Sequence, residues 1–406
     1  MTSTEADTAL ALLTSEAVRL HCGELLQAGL DGKLEHFTVD LDRLPVAADL
    51  VCETIHEDYP DLDIPPHSRW RHFVVDGRDR WTETAGSLPV DALERARIEC
   101  ELAITSALLD AGAGPRWRYL DRSSGRRIGR SEGLAIASFD TYVSGGFSSV
   151  AGEPMRADAA GLTGFTVASL ERGFQVSADN PLEGAAGRAH LMQRLGHAVA
   201  AQPDVFGRSA PRLGNFADHL NKLTRAGNLP ARQILISILN VFGSIWPGRL
   251  ELAGRNLGDT WPHPAASGPG LVPFHKLSQW LTYSLLEPLQ RLGLDVTGTN
   301  ELTGLAEYRN GGLFVDTGVI KLRDPAAASS AHEPSSRLVI EWRALTVALI
   351  DRIQPMVRER LGCTETQLPL ASILQGGTWT AGRRIAAALR EGGPPPITII
   401  SDGSVF

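Results

Sequence analysis

Helical periodicity runs almost from one end of this chain to the other, and it limits the folds open to it. Apolar residues recur three and four apart in segments separated by Gly, Pro or polar turns. Val18, Cys22, Leu25 and Leu26 follow Ser15 as an N-cap, with Gly29 as a stop. The stretch 45–57 carries Pro in its first turn. Asp91 and Glu94 form a capping-box-like start to a long helix ending at Gly112. The same spacing predicts helices over 158–173, 184–201, 213–225, 231–246, 274–292, 336–361, 368–375 and 379–391, with Pro355 kinking or splitting the one over 336–361. Strand signals are fewer. Residues 117–119 and 126–128 suit a small hairpin about Ser123-Ser124-Gly125, and 312–320 and 397–400 suit short strands. The alternation of strands and helices that a parallel α/β fold requires is absent. The expectation is a mainly α, multi-helical, two-lobed globule with a small β hairpin or sheet element. An N-terminal mainly helical lobe would span 1–150 and a C-terminal helical lobe 151–406, unless the two form one integrated domain. The Pro- and Gly-rich stretch 261–273 and the Ala- and Ser-rich stretch 324–336 read as loops.

Charge and cysteine usage exclude several functions. The net charge is −8 with 39 basic and 47 acidic residues, the wrong balance for a nucleic-acid footprint or an anionic membrane surface. Cys22, Cys52, Cys100 and Cys363 are far apart, so neither a disulfide framework nor a zinc ribbon is expected. With the acidic start MTSTEAD, which suits no targeting peptide, reduced thiols point to the cytoplasm. The most apolar stretch, 234–246, is too short and polar to span a bilayer. No GxGxxG, Walker A or HExxH occurs. The single GxSxG, 129–133, lacks the apolar strand of a nucleophile elbow and reads as a loop. Histidines are scattered, and His263 and His275 are the one pair in a polar-dense region. Neither a metal nor an organic cofactor is expected.

Only Lys33, Lys222, Lys276 and Lys321 are lysines; every other cation is arginine. A compositional bias of the coding DNA accounts for most of that skew, but each lysine is a candidate for a site where a compact ammonium is wanted. Lys276 opens the most informative helix. With about 100° per residue, Leu277, Leu281, Leu285 and Leu289 fall on one face. Lys276, Gln279, Trp280, Tyr283 and Glu287 fall on the other. Two large aromatics among hydrogen-bonding groups suit either a ligand cleft or a second packing face. In GLAEYRNGGLFVDTGV (304–319), Glu307, Tyr308, Arg309 and Asn310 are consecutive hydrogen-bonding residues, and Asp316 interrupts an apolar run. In GRLELAGRNLGDTWPHP (248–264), Arg249, Glu251, Arg255, Asp259 and His263 lie among glycines. Arg255 and Asp259 are spaced to pair on one helical turn, and Trp261 offers a stacking surface.

These strings, with FHKLSQWLTYSLLEPL and the ending SDGSVF, resemble the uracil catabolism protein 4 family over almost the whole chain. The resemblance implies a place in a uracil-degrading route in which a nucleotide's ring is opened and urea is released from a ribosylurea-type intermediate. It also implies a pathway partner similar to GTP cyclohydrolase II. A second similarity, over Lys276-x-x-Gln279 and Ala306-Glu307-Tyr308-Arg309 only, is to the all-helical queuosine nucleoside glycohydrolases, which cleave a base–ribose bond and carry Asp where this chain has Glu307.

The expected activity is hydrolysis of an N-ribosidic bond in a small nucleoside- or nucleotide-derived substrate. An oxocarbenium-like transition state calls for a carboxylate and proton delivery to the leaving group. Glu307, Asp316 and Asp259, in that order, are the candidate carboxylates. Lys276, Arg309 and Arg255 are the candidate cations for a phosphate or sugar. Gln279 and Asn310 offer donor–acceptor pairs for a ureido group. Trp261, Trp280, Tyr283 and Tyr308 would stack or exclude water, with His263 and Glu287 completing the polar set. An amide or ring-opening hydrolase and a non-catalytic binding partner are the alternatives.

Overall fold

The computed structural model describes residues 4–110, 112–246 and 250–400. Helices dominate, and every sheet among the described residues has only two strands. The chain divides into two compact units of interleaved segments. Among the described residues, unit 1 holds 4–67, 250–279 and 298–400, and unit 2 holds 68–110, 112–246 and 280–297.

Unit 1 is built on the helix Arg337–Leu361, capped at its start by Ser336 and ended by Gly362 in the left-handed region (φ 64°). Residues 338–350 are buried on every side, the charged Glu341 and Arg343 among them. The helices Ser15–Leu30 and Leu44–Asp58 pack against it, burying Val18, Cys22, Leu25, Val51 and Ile55. Pro355 is accommodated without splitting the helix. The helix Tyr308–Asp316 packs on Trp379–Leu389. Gly382 makes that approach possible, because a Cβ there would stand 2.1 Å from the Arg309 carbonyl. Ahead of Trp379 the chain winds into a π-helix, Ile373–Thr378, continuous with the helix that follows.

Several short elements differ from the sequence expectation. The predicted strand over 312–320 is helix as far as Asp316, and only Ile320–Leu322 is a strand, paired antiparallel with Phe37–Val39. The stretch 261–273 is a hairpin, Thr260–Pro262 against Leu271–Pro273. Arg255 lies on a second hairpin, exposed, so it does not share a helical turn with Asp259. A strand forms at Thr398–Ile399, parallel to Ala331–His332. Arg249 and the ending 401–406 lie outside the described residues.

Unit 2 is carried by the helices Ala92–Leu108, Arg130–Val143 and Ala185–Ala201. Asp91 caps the first of these by accepting the Glu94 N–H at 2.8 Å. The segment 129–133 opens the second helix instead of forming a loop. The expected hairpin is present as Tyr119–Leu120 against Arg127–Ile128. The helix Lys276–Arg291 gives its first turn to unit 1 and the remainder to unit 2. No described helix is long and apolar enough to cross a membrane.

Candidate active site

Three separated segments of unit 1 bring their chemistry together: 259–261, 274–279 and 303–310. A fourth, the middle of the Arg337–Leu361 helix, supplies the group that organises them.

That group is Arg343. Its guanidinium donates to both Asp259 oxygens, Nη1 to Oδ1 and Nη2 to Oδ2, each at 2.7 Å. Nε donates to the Ala306 carbonyl at 3.3 Å, and the planar group lies 4.1 Å from the Phe274 ring centroid. Asp259 also accepts the Trp261 indole N–H at 2.7 Å and the Lys276 backbone N–H at 3.1 Å. Burial alone would raise its pKa. The Arg343 charge and hydrogen bonds, with those of Trp261 and Lys276, outweigh burial and hold it well below the usual carboxylate range. Asp259 is thus a fixed anion that orients Lys276 and Trp261.

Glu307 has the opposite environment. It is the N-cap of Tyr308–Asp316 and accepts the Arg309 N–H at 2.8 Å and the Asn310 N–H at 2.5 Å. Burial pushes its pKa up; the two N–H bonds and the Lys276 and Arg309 charges pull it only part of the way back. Two carboxyls whose environments drive their proton affinities apart are the usual arrangement of an acid–base site.

The surrounding amides are fixed. Gln279 accepts the Thr303 N–H at 2.9 Å and donates to the Thr303 hydroxyl. Asn310 donates to the Leu305 carbonyl at 3.2 Å and accepts from Thr378 at 2.8 Å, so the π-helix ends on a residue that positions the site. His275 takes a left-handed backbone conformation (φ 48°) and places its Nε2 2.8 Å from the Leu12 carbonyl. Burial lowers its pKa, favouring a neutral ring.

Other predicted residues lie elsewhere. Asp316 ends the helix that Glu307 caps, about 13 Å further along its axis. There it forms a two-point ion pair with Arg390 at 2.8 and 2.6 Å, at the opposite end of the helix from Glu307. The Arg309 guanidinium donates to the Gly393 carbonyl at 2.8 Å and lies against the Tyr308 ring. In unit 2, Trp280 and Tyr283 are buried. Trp280 packs edge-on to His72 and against Arg69, and Glu287 accepts from Ser68 at 2.8 Å and Arg71 at 2.6 Å. His263 and His275 turn to different partners, and no group of three or more potential ligands among the described residues is placed to hold a metal. The sequence reading missed Arg343 and Glu341. Two charges inside the apolar run 338–350 were the available signal.

The chain is a mainly α protein in which a buried carboxyl, Glu307, and a salt-bridged aspartate, Asp259, are contributed by distant segments of unit 1. Residues 11–406 match the family described as "Protein of unknown function (DUF1688)", and the chain belongs to that family. Its relatives include protein urg3 of Schizosaccharomyces pombe, 40% identical over 98% of this chain and 99% of the relative. They also include uracil catabolism protein 4 of Lachancea kluyveri, 36% identical over 93% of each chain. The family resemblance expected from the motif strings is borne out.

Proposed function

We propose that this protein acts in uracil catabolism and hydrolyses the N-ribosidic bond of a ring-opened uracil riboside or ribotide, releasing urea. The name of one relative, uracil catabolism protein 4, supports the pathway. The observation that carries the chemistry is Glu307, buried, raised in proton affinity, held by two backbone N–H groups and within electrostatic reach of the Lys276 charge.

In this reading the ionised Glu307 faces the sugar as C1′ gains oxocarbenium character, and takes a proton from the attacking water. The water oxygen bonds to C1′ as the C1′–N bond breaks, and the Lys276 ammonium protonates the departing nitrogen. Proton return from Glu307 to Lys276 by way of solvent restores both groups. Arg343 and Asp259 act as positioning residues by holding the start of the Lys276 helix. Gln279 and Asn310 shape the ureido end. The short similarity to nucleoside glycohydrolases at Lys276, Gln279 and Glu307 supports the same assignment.

Purified protein incubated with ribosylurea and with its 5′-phosphate should release urea and free sugar in equal amounts from at least one of them. Binding of both without turnover would favour a non-catalytic role. Ammonia or carbon dioxide in place of urea would favour an amide hydrolase.

A further inference from the structure

We propose that unit 1 carries a second small-molecule site, over His263 and Glu341, for a neutral compound presenting an adjacent N–H and C=O, the edge shared by ureido compounds and pyrimidine bases. The proposal does not depend on the reaction at Glu307.

A cavity of about 530 Å³ is lined by residues of the Ser15–Leu30 helix, by 263–265, and by Glu35, Arg337 and Glu341. Such a volume suits a small organic molecule. The charges around it are mostly satisfied by one another. Glu24 engages His21 and the Ser267 N–H, Asp31 engages Lys33, and Glu35 engages Arg337.

The buried lining behaves differently. His263 is 4% exposed and Glu341 fully buried. His263 Nδ1 accepts the Ala265 N–H at 3.2 Å. A ring nitrogen that accepts carries no proton, so the neutral ring holds its proton on Nε2. That N–H has no hydrogen-bond partner among the described residues; the Glu341 oxygen at 3.5 Å is beyond a good N–H···O distance. A buried donor without a partner is costly and calls for an acceptor. Beside it, Glu341 accepts the Glu35 N–H at 3.0 Å and the His36 N–H at 2.9 Å. A carboxylate has about four acceptor positions, so capacity remains for one more donor.

A donor next to an acceptor, with one lining wall of Pro264 and Ala265, matches a planar molecule offering C=O to His263 and N–H to Glu341. Four acidic residues line the cavity against Lys33 and Arg337, which disfavours a phosphorylated ligand. The neutral edge is therefore the chemistry that fits.

The test is ligand-observed NMR titration of the full chain with uracil, N-methylurea, uridine 5′-monophosphate and 1,3-dimethyluracil, which has no N–H. Uracil or N-methylurea should bind, dimethyluracil should not, and the phosphate should bind more weakly than uracil. His263→Phe removes the donor, and Ala28→Trp fills the cavity from a half-buried position on its helical wall. Each should weaken binding about tenfold or more, with circular dichroism confirming the fold. Lys276→Ala should leave this binding in place. The proposal is overturned if no probe binds, if dimethyluracil binds as well as uracil, or if binding survives both cavity variants. It is overturned too if Lys276→Ala alone abolishes binding, which would move the ligand to the other site.

Discussion

Replacing Asp259 by Asn keeps the shape of the site and removes one charge. In the wild type, Arg343 has a side chain 2% exposed and meets an Asp259 side chain 11% exposed through two 2.7 Å hydrogen bonds. Asparagine offers one acceptor and turns an amide N–H₂ toward a donor, leaving the guanidinium buried without a counter-charge. Breaking a buried pair from one side costs roughly 3–5 kcal/mol; the slight exposure of Asp259 places the expected loss near 3 kcal/mol. Urea unfolding followed by tryptophan fluorescence should then show a midpoint fall of about 1 M for a slope near 3 kcal/mol per M. The pair Asp259→Leu with Arg343→Met removes both charges and should recover most of the loss. The pH dependence has a definite sign. The folded pKa of Asp259 lies below its ordinary 3.8, so its contribution is present above about pH 4 and fades as pH falls through the folded value. The Asn variant should lack that acid-sensitive component. A loss under about 1 kcal/mol in the single variant, or no recovery in the double, would refute the view that this ion pair organises the site.

Further outcomes are expected in catalysis. The rate of urea release should rise with pH through the elevated pKa of Glu307, placing the acid limb above the ordinary value of 4.5; Glu307→Gln should remove that limb and lower kcat by about a hundredfold or more. Lys276→Arg should lower kcat/KM by at least about tenfold, because a planar guanidinium does not replace a compact ammonium, whereas Lys33→Arg should leave turnover unchanged. Asp316→Asn should destabilise the protein by roughly 1–3 kcal/mol through Arg390 while changing kcat less than about twofold, measured by parallel unfolding and rate assays. Thr378→Val should raise KM more than it lowers kcat, since it releases Asn310 and leaves Glu307 in place.

Local signals explain why much of the helical framework was legible. Asp91 with Glu94, and Gly362 after Leu361, are caps whose geometry is set within a few residues. The stretch 312–320 was misread because Gly311-Gly312 looks like a turn and the short apolar run after it fits strand or helix equally. Those glycines serve close packing instead: a Cβ at Gly311 would stand 2.7 Å from Trp342 Nε1 and Thr346 Oγ1, and one at Gly312 3.1 Å from Pro396. Lys276, Gln279 and Glu307 stood out because polar groups clustered within single motifs. Arg343 did not, because its partner Asp259 is 84 positions away and no local pattern couples them. Asp316 was equally conspicuous as an acid in an apolar run, and Arg390, 74 positions on, accounts for it.

Turnover of ribosylurea in ¹⁸O-labelled water, with the sugar trapped at once by borohydride reduction, tests most directly which bond is broken. Attack at C1′ with Glu307 as the base predicts label on the sugar and none in the released urea, and loss of that labelled product in Glu307→Gln. Label in the urea-derived carbonyl, with none on the sugar, would contradict N-ribosidic hydrolysis at this site.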